Sequence, residues 1–193
     1  MKRVCVFCGS SAGADPAFTH AAAEVGAVLA ERSLGLVYGG GNVGLMGVLA
    51  DATLTAGGEV IGVIPQALVD RELAHRGVTD LRIVQSMHER KATMADLSDA
   101  FIALPGGYGT LEEFCEILTW AQLGLHRKPF GLLNVAGYYD HFVAQIDHSV
   151  SMKFIRPEHR ELLMVDQKIH RLLDRFDSFK PLLVHKWIDR QET

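Results

Sequence analysis

Three cysteines in 193 residues are too few for the disulfide framework of a secreted domain. Cys5 and Cys8 form a C-x-x-C, but no second C-x-x-C and no suitably spaced histidine pair completes a zinc site. If residues 3–8 are a strand, positions three apart point to opposite faces, so both thiols are expected in the core. Basic residues are also short: 19 Lys and Arg stand against 23 Asp and Glu, a formal charge of −4. That removes the electrostatic ground for a nucleic-acid partner. No apolar run approaches the ~20 residues needed to cross a bilayer. The opening MKRVCVFCGSS starts basic, yet its apolar stretch is shorter than a signal-peptide core of about 7–15 residues, and it reads as a first strand. A cytoplasmic enzyme is the expectation. Prolines number only six, and no proline- or serine-rich linker or internal repeat divides the chain. Residues 1–180 therefore read as a single nucleotide-binding α/β domain, and residues 181–193 as a peripheral tail.

What the chain does contain is alternation. Short β-branched or apolar runs at 3–8, 34–38, 59–64, 81–85, 100–104 and 130–135, with a weaker one at 162–165, are separated by amphipathic stretches. The stretches lie at 17–32, 43–56, 87–98, 111–124, 138–150 and 166–177. Strands this apolar, separated by helices, predict a doubly wound, Rossmann-like α/β fold: a parallel sheet of six to seven strands with helices on both faces. Ligands in such sheets bind beyond the carboxyl ends of the strands. Those ends read Gly9-Ser10-Ser11, Gly39-Gly40-Gly41, Pro65, Ser86 and Pro105-Gly106-Gly107, and small-residue turns there suggest a phosphate-bearing ligand.

Two glycine loops stand out. YGGGNVGLMG, residues 38–47, contains Gly39-x-Gly41-x-x-Gly44 between a strand and a helix, the context of a dinucleotide site. The acid that should end the next strand is missing; Glu59 has the spacing but begins its strand, which disfavours NAD. Gly9, Ser10, Gly39, Gly40, Gly41 and Asn42 remain candidates for a phosphate or ribose loop, against glycines that merely permit close packing. The second loop, LPGGYGTLEE at 104–113, lacks both the third glycine of that fingerprint and the Lys-Ser/Thr pair of a triphosphatase. Thr110-x-x-Glu113 matches a capping box, although capping leaves three glycines and a second glutamate unexplained. On the helix that follows, Leu111, Phe114, Cys115 and Leu118 form the predicted apolar stripe. Glu113 falls off it, and Glu112 shares a further side with Thr119. A first-turn position favours ionised glutamates, suited to a base or cation stabiliser.

The predicted inward stripe of residues 87–98 reads Met87, Arg90, Lys91, Met94 and Leu97. Buried cations require a carboxylate or a bound anion, and Lys91 could instead snorkel to solvent. An N–H-rich cradle, an arginine and a glutamate suit a ligand with phosphate at one end and developing positive charge at the other, as in cleavage of a nucleotide's N-glycosidic bond.

Arg90-Lys91 followed by PGGYGTLEE at 105–113 closely resembles the Lonely Guy family of cytokinin riboside 5'-monophosphate phosphoribohydrolases, whose members are often mislabelled lysine decarboxylases. Every defined position of the family motif PGGxGTxxE is present. The resemblance extends through CVFCGSSAG, VYGGGNVGLMG, VIGVIP, MHERKA, SDAFIALPGG, LTWAQLG and KPFGLLNVAGYYD, nearly the whole chain to residue 155. It implies Arg90 and Glu113 as catalytic residues. It implies nucleotide contacts from Glu72, Lys91, Gly107, Tyr108, Gly109, Thr110, Leu111, Glu112 and Thr119; from the residues alone, DRELAHRG around Glu72 reads as a solvated loop. It further implies hydrolysis of N6-substituted adenosine 5'-monophosphates to free base and ribose 5-phosphate, no metal or redox cofactor, and a homodimer with its site near the subunit interface. A general AMP nucleosidase and a non-catalytic nucleotide-binding protein are the alternatives. A lysine decarboxylase would need a Schiff-base lysine, for which only Lys91 lies among the site candidates.

Overall fold

The computed structural model describes residues 1–71 and 73–181. Seven strands, β1 (Arg3–Phe7), β2 (Gly35–Tyr38), β3 (Val60–Pro65), β4 (Asp80–Val84), β5 (Ala100–Ala103), β6 (Phe130–Leu133) and β7 (Leu163–Asp166), form one sheet. All pair in parallel, in the order β4-β3-β2-β1-β5-β6-β7. The chain winds outward from β1 to β4, then returns to β5 on the other side of β1. The topological switch point, where a doubly wound sheet opens a crevice, therefore lies between β1 and β5.

Strand residues alternate between two cores. Val4, Val6 and Cys8 join Leu36, Tyr38 and Ile102 beneath α1 (Pro16–Glu31), α2 (Gly44–Thr55) and α8 (Ile169–Asp177). Cys5 and Phe7 join Val37, Ile61, Phe101 and Ala103 beneath α4 (Met87–Leu97), α5 (Tyr108–Gln122) and α6 (Asp140–Ser151). Cys5 and Cys8 are accordingly free thiols buried on opposite faces, as the strand period requires. Two short helices, α3 (Gln66–Val69) and α7 (Pro157–Glu161), and a 3₁₀ turn at Val135–Gly137 complete the described chain. The predicted strands all form. The edge strand β4 departs from the expectation of two covered faces, with Arg82 and Ile83 exposed. The tail expected over residues 181–193 lies, from residue 182 onward, outside the described residues.

Helix starts are chemically explicit. Asp15 caps α1, accepting from the Ala17 N–H at 2.8 Å, with Pro16 in the first turn. Ser86 caps α4: its Oγ accepts from the Glu89 N–H at 3.1 Å, and the Glu89 carboxylate accepts from the Gln85 N–H at 2.8 Å. That is a capping-box variant, in which the glutamate reaches the N–H one residue before the cap. At α5 the expected box is not formed. The helix begins at Tyr108, capped only by Gly107, and among the described residues no side chain accepts its first N–H groups. Thr110 is thus the third helical residue, buried, with its Oγ1 against Gly106.

Candidate functional site

Above β1, β2 and β5 the turns converge on a cleft of about 240 Å³. Cys8, Ser10, Gly39 and Met46 form one side, and Gly107, Tyr108, Gly109, Thr110 and Glu113 the other, with Arg90 between them. A neighbouring cleft of about 280 Å³ shares Ser10 and Gly107 and is bounded by Gly9, Phe18, Leu45 and Tyr138. Both lie at the switch point.

Arg90 projects from the second turn of α4, directly behind the capping box. Its Nε donates to the Val63 carbonyl of β3 at 3.0 Å, and its Nη1 donates to Glu113 Oε1. Both side chains are buried, so each charge has its partner where neither could keep its hydration. Gly39 belongs to this arrangement: a methyl group there would collide with the Arg90 guanidinium. Gly44 has φ +57°, and a Cβ on it would strike the Ser10 backbone, while the Leu45 N–H donates to the Gly9 carbonyl at 3.0 Å. Two of the fingerprint glycines therefore permit close approach. Gly40, Gly41 and Asn42 do not line the cleft; a second segment straps them, the His75 N–H donating to Gly40 O at 2.9 Å and the Asn42 N–H to Leu73 O at 2.8 Å.

Several sequence expectations are corrected here. The buried stripe of α5 is Thr110, Glu113, Phe114 and Ile117, so Glu113 lies on it, and Cys115 is exposed. The pattern misleads because a carboxylate facing a buried arginine occupies a core position that hydrophobicity alone assigns to its neighbour. On α4 the buried residues are Arg90, Lys91, Met94 and Ala95, with Met87 exposed. Lys91 neither snorkels nor lines the cleft; its Nζ donates to Glu112 at 2.6 Å and Glu116 at 3.1 Å. Glu112 thus serves an interhelical ion pair. Leu111 packs into the core, and the exposed Thr119 donates its hydroxyl to Cys115 O at 2.7 Å. Glu72 lies outside the described residues. Cys8, Phe18, Met46 and Tyr138 line the clefts unforeseen; for Tyr138 the available signal was its place just beyond the sixth strand's carboxyl end.

Electrostatically, burial raises the Glu113 carboxyl above its ordinary value, with the Arg90 guanidinium pulling the other way. The expected first-turn position is corrected, since Glu113 is the sixth residue of α5; what acts on its carboxyl is burial, opposed by Arg90. Burial works against the Lys91 charge, yet its bonds to Glu112 and Glu116 hold the ammonium above the usual value. A Schiff-base lysine needs the opposite shift. Glu59, the only acid with dinucleotide spacing, pairs with Arg3 at 2.9 Å at the amino ends of the strands. Burial pushes up the thiols of Cys5 and Cys8, which stay protonated beside the site.

Comparison with known proteins identifies the family. Residues 46–176 match a family model described as "Possible lysine decarboxylase"; the residues present do not fit the pyridoxal cofactor that name implies, since Lys91 is outside the cleft and ion-paired. A rice protein (Oryza sativa subsp. japonica) named probable cytokinin riboside 5'-monophosphate phosphoribohydrolase is 52% identical, over 94% of this chain and 80% of its own. An Arabidopsis thaliana cytokinin riboside 5'-monophosphate phosphoribohydrolase is 50% identical, over 93% of this chain and 84% of its own. Among solved structures, the molybdenum cofactor binding protein of Rippkaea orientalis superposes with a TM-score of 0.70 at 21% identity, covering 92% of this chain and 97% of that one; this speaks to the fold alone. With half of its residues shared over most of both chains, this protein belongs to the cytokinin riboside 5'-monophosphate phosphoribohydrolase family, the Lonely Guy family.

Proposed function

We propose that this protein hydrolyses the N-glycosidic bond of N6-substituted adenosine 5'-monophosphates, releasing the free base and ribose 5-phosphate. The observation that carries the reading is the buried Arg90–Glu113 pair beside an α5 amino terminus that, among the described residues, no side chain caps. Uncapped first-turn N–H groups and the positive end of the helix dipole form an anion site, here suited to the 5'-phosphate. One turn further along, Glu113 reaches the part of the cleft where a ribose attached to that phosphate would sit. The transition state of glycosidic cleavage is oxocarbenium-like at the anomeric carbon, and a carboxylate there stabilises the cation or activates water. Arg90 holds the carboxylate in place and keeps its charge available, and its remaining donors can contact ligand oxygens.

The same reading makes Gly107, Tyr108, Gly109 and Thr110 the phosphate contacts, Ser10 and Gly39 the opposite wall, and the protein a cytoplasmic, single-domain enzyme that binds small nucleotides rather than nucleic acid. It also makes it a homodimer. In support, Tyr108, Leu125 and Phe154 are 94%, 70% and 86% exposed, apolar side chains that a second copy would cover. Glu112 and Thr119 would then face ligand or partner across that interface, with the buried Lys91 holding Glu112 in place.

Incubation with adenosine monophosphate and isopentenyladenosine monophosphate, side by side, tests the activity. Free base and ribose 5-phosphate should appear, faster from the N6-substituted nucleotide; equal rates would favour a general nucleosidase. Glu113→Gln should retain nucleotide binding and lose turnover by roughly 10²-fold or more, as for removal of a group that acts on the transition state. Full activity in that variant would dismiss the mechanism, and binding without turnover in the wild type would favour a non-catalytic protein.

A further inference from the structure

The turn between β5 and α5 has an unusual property: three consecutive carbonyl oxygens are each taken by a donor. Leu104 O accepts from the Tyr139 hydroxyl at 2.6 Å, Pro105 O from the Gly9 N–H at 3.0 Å, and Gly106 O from the Tyr138 hydroxyl at 2.6 Å. Carbonyl oxygens repel an anion, and a peptide's C=O and N–H point in opposite directions across a planar trans unit. Fixing the Gly106 carbonyl therefore also fixes the direction of the Gly107 N–H. Gly107 borders both clefts and has no side chain of its own to hold it.

The two tyrosines are delivered by a tightly specified turn. After β6, Ala136 and Gly137 both take left-handed backbone conformations, with φ of +49° and +73°. Asn134 braces the turn, its Oδ1 accepting from the Tyr139 N–H at 2.8 Å and its Nδ2 donating to Asp140 at 2.7 Å. Tyr139 is fully buried, whereas Tyr138 is half-exposed and packs edge-on against Phe18, with ring centroids 5.6 Å apart. A half-exposed tyrosine could place its hydroxyl in water; here it reaches into the glycine turn instead.

We propose that Tyr138 is a positioning residue for the anion-binding turn, with Tyr139 bracing the turn's start: its hydroxyl holds the Gly106 carbonyl aside and aims the Gly107 N–H at the ligand's phosphate. The proposal rests on the phosphate reading given above. It separates Tyr138 from a mere wall of the cleft, because its action is specific to the phosphorylated part of the ligand.

Tyr138→Phe keeps the ring and removes the donor. In the Glu113→Gln background, where turnover does not obscure binding, affinities for AMP and for adenosine are measured by calorimetry with and without this change. AMP should weaken by roughly three- to tenfold, the loss expected for one hydrogen bond, and adenosine by less than about twofold. In the otherwise unaltered protein, the Gly107 amide resonance should move, and its response to added ribose 5-phosphate should shrink. A change that is only structural would lower thermal stability while leaving the AMP-to-adenosine ratio intact, and an unchanged ratio overturns the proposal. Tyr139→Phe, read by the same ratio, serves as the second variant. If the starting protein fails to prefer AMP over adenosine, the phosphate reading itself is wrong and this proposal falls with it. If it prefers AMP equally with and without the Tyr138 hydroxyl, only the proposal falls.

Discussion

Because Glu113 is buried between α4 and α5, its charge depends on what Arg90 contributes against desolvation. Its carboxyl is raised by burial and lowered by the guanidinium. In the proposed reaction the active form is the carboxylate, so activity should be lost as pH falls through the Glu113 pKa. The acid limb of kcat/KM should therefore lie above the ordinary glutamate value of 4.5. In Arg90→Gln the surviving activity should show that limb displaced to still higher pH, since the opposing charge is gone; a limb that stayed put or moved down would remove Arg90 as the partner controlling this proton. Linkage has the complementary sign. A carboxyl whose pKa is raised by folding contributes stability below its unfolded pKa and loses it as pH rises through the folded one, so the ionised Glu113 opposes folding at neutral pH. At this scale the sequence was partly legible. Residue types and spacing exposed Arg90 and Glu113, but not that they neutralise each other, because a 23-residue separation carries no distance.

At the scale of elements, both site residues depend on how their helices begin, and the two beginnings are opposite. α4 caps its start with the Ser86 hydroxyl, ties the preceding Gln85 N–H with Glu89, and then presents Arg90. α5, among the described residues, has no side-chain cap, and it presents Glu113. Sequence motifs alone do not separate these roles: T-x-x-E at 110–113 and S-x-x-E at 86–89 fit a capping pattern equally well, and only the position of each strand end tells which one caps. β5 stops at Ala103, so the chain has completed its turn by Gly107 and the helix is under way before Thr110 is reached. Ser86→Ala should cost about 1 kcal/mol of stability, a fall in melting temperature of roughly 2–4 °C for a domain of this size. Because Arg90 follows within one turn, kcat/KM should fall with it. Thr110→Ala should show no such capping loss. Thermal melts of the two variants side by side test the assignment, and a larger stability loss attributable to capping at Thr110 would reverse it.

For the whole molecule, the strand pattern was legible because each buried strand is short, apolar and closed by a small-residue turn, and doubly wound connections leave few ways to order such strands. The exposed edge strand β4 and the strap that ties Gly40 and Asn42 were not legible, since both depend on contacts distant in sequence. Quaternary structure lies furthest from sequence pattern, yet the surface constrains it. Two of the exposed apolar groups follow helix ends: Leu125 lies just past α5, and Phe154 just past α6. Neither is needed to fill a core described above, so a charged replacement should leave the subunit folded. If these residues meet a second copy, Leu125→Glu and Phe154→Glu each bury a charge without a partner, a cost large enough to dissociate a modest interface. Sedimentation of the unaltered protein should give twice the mass of one chain, and either variant should move toward one. Since Glu112 and Thr119 are exposed on α5, and Lys91, buried on α4, bonds Glu112 rather than entering the cleft, dissociation should also lower activity, by an amount that dilution of the unaltered protein reproduces. A fully active monomer would confine the site to one subunit and leave those three residues with only the interhelical and surface roles already seen.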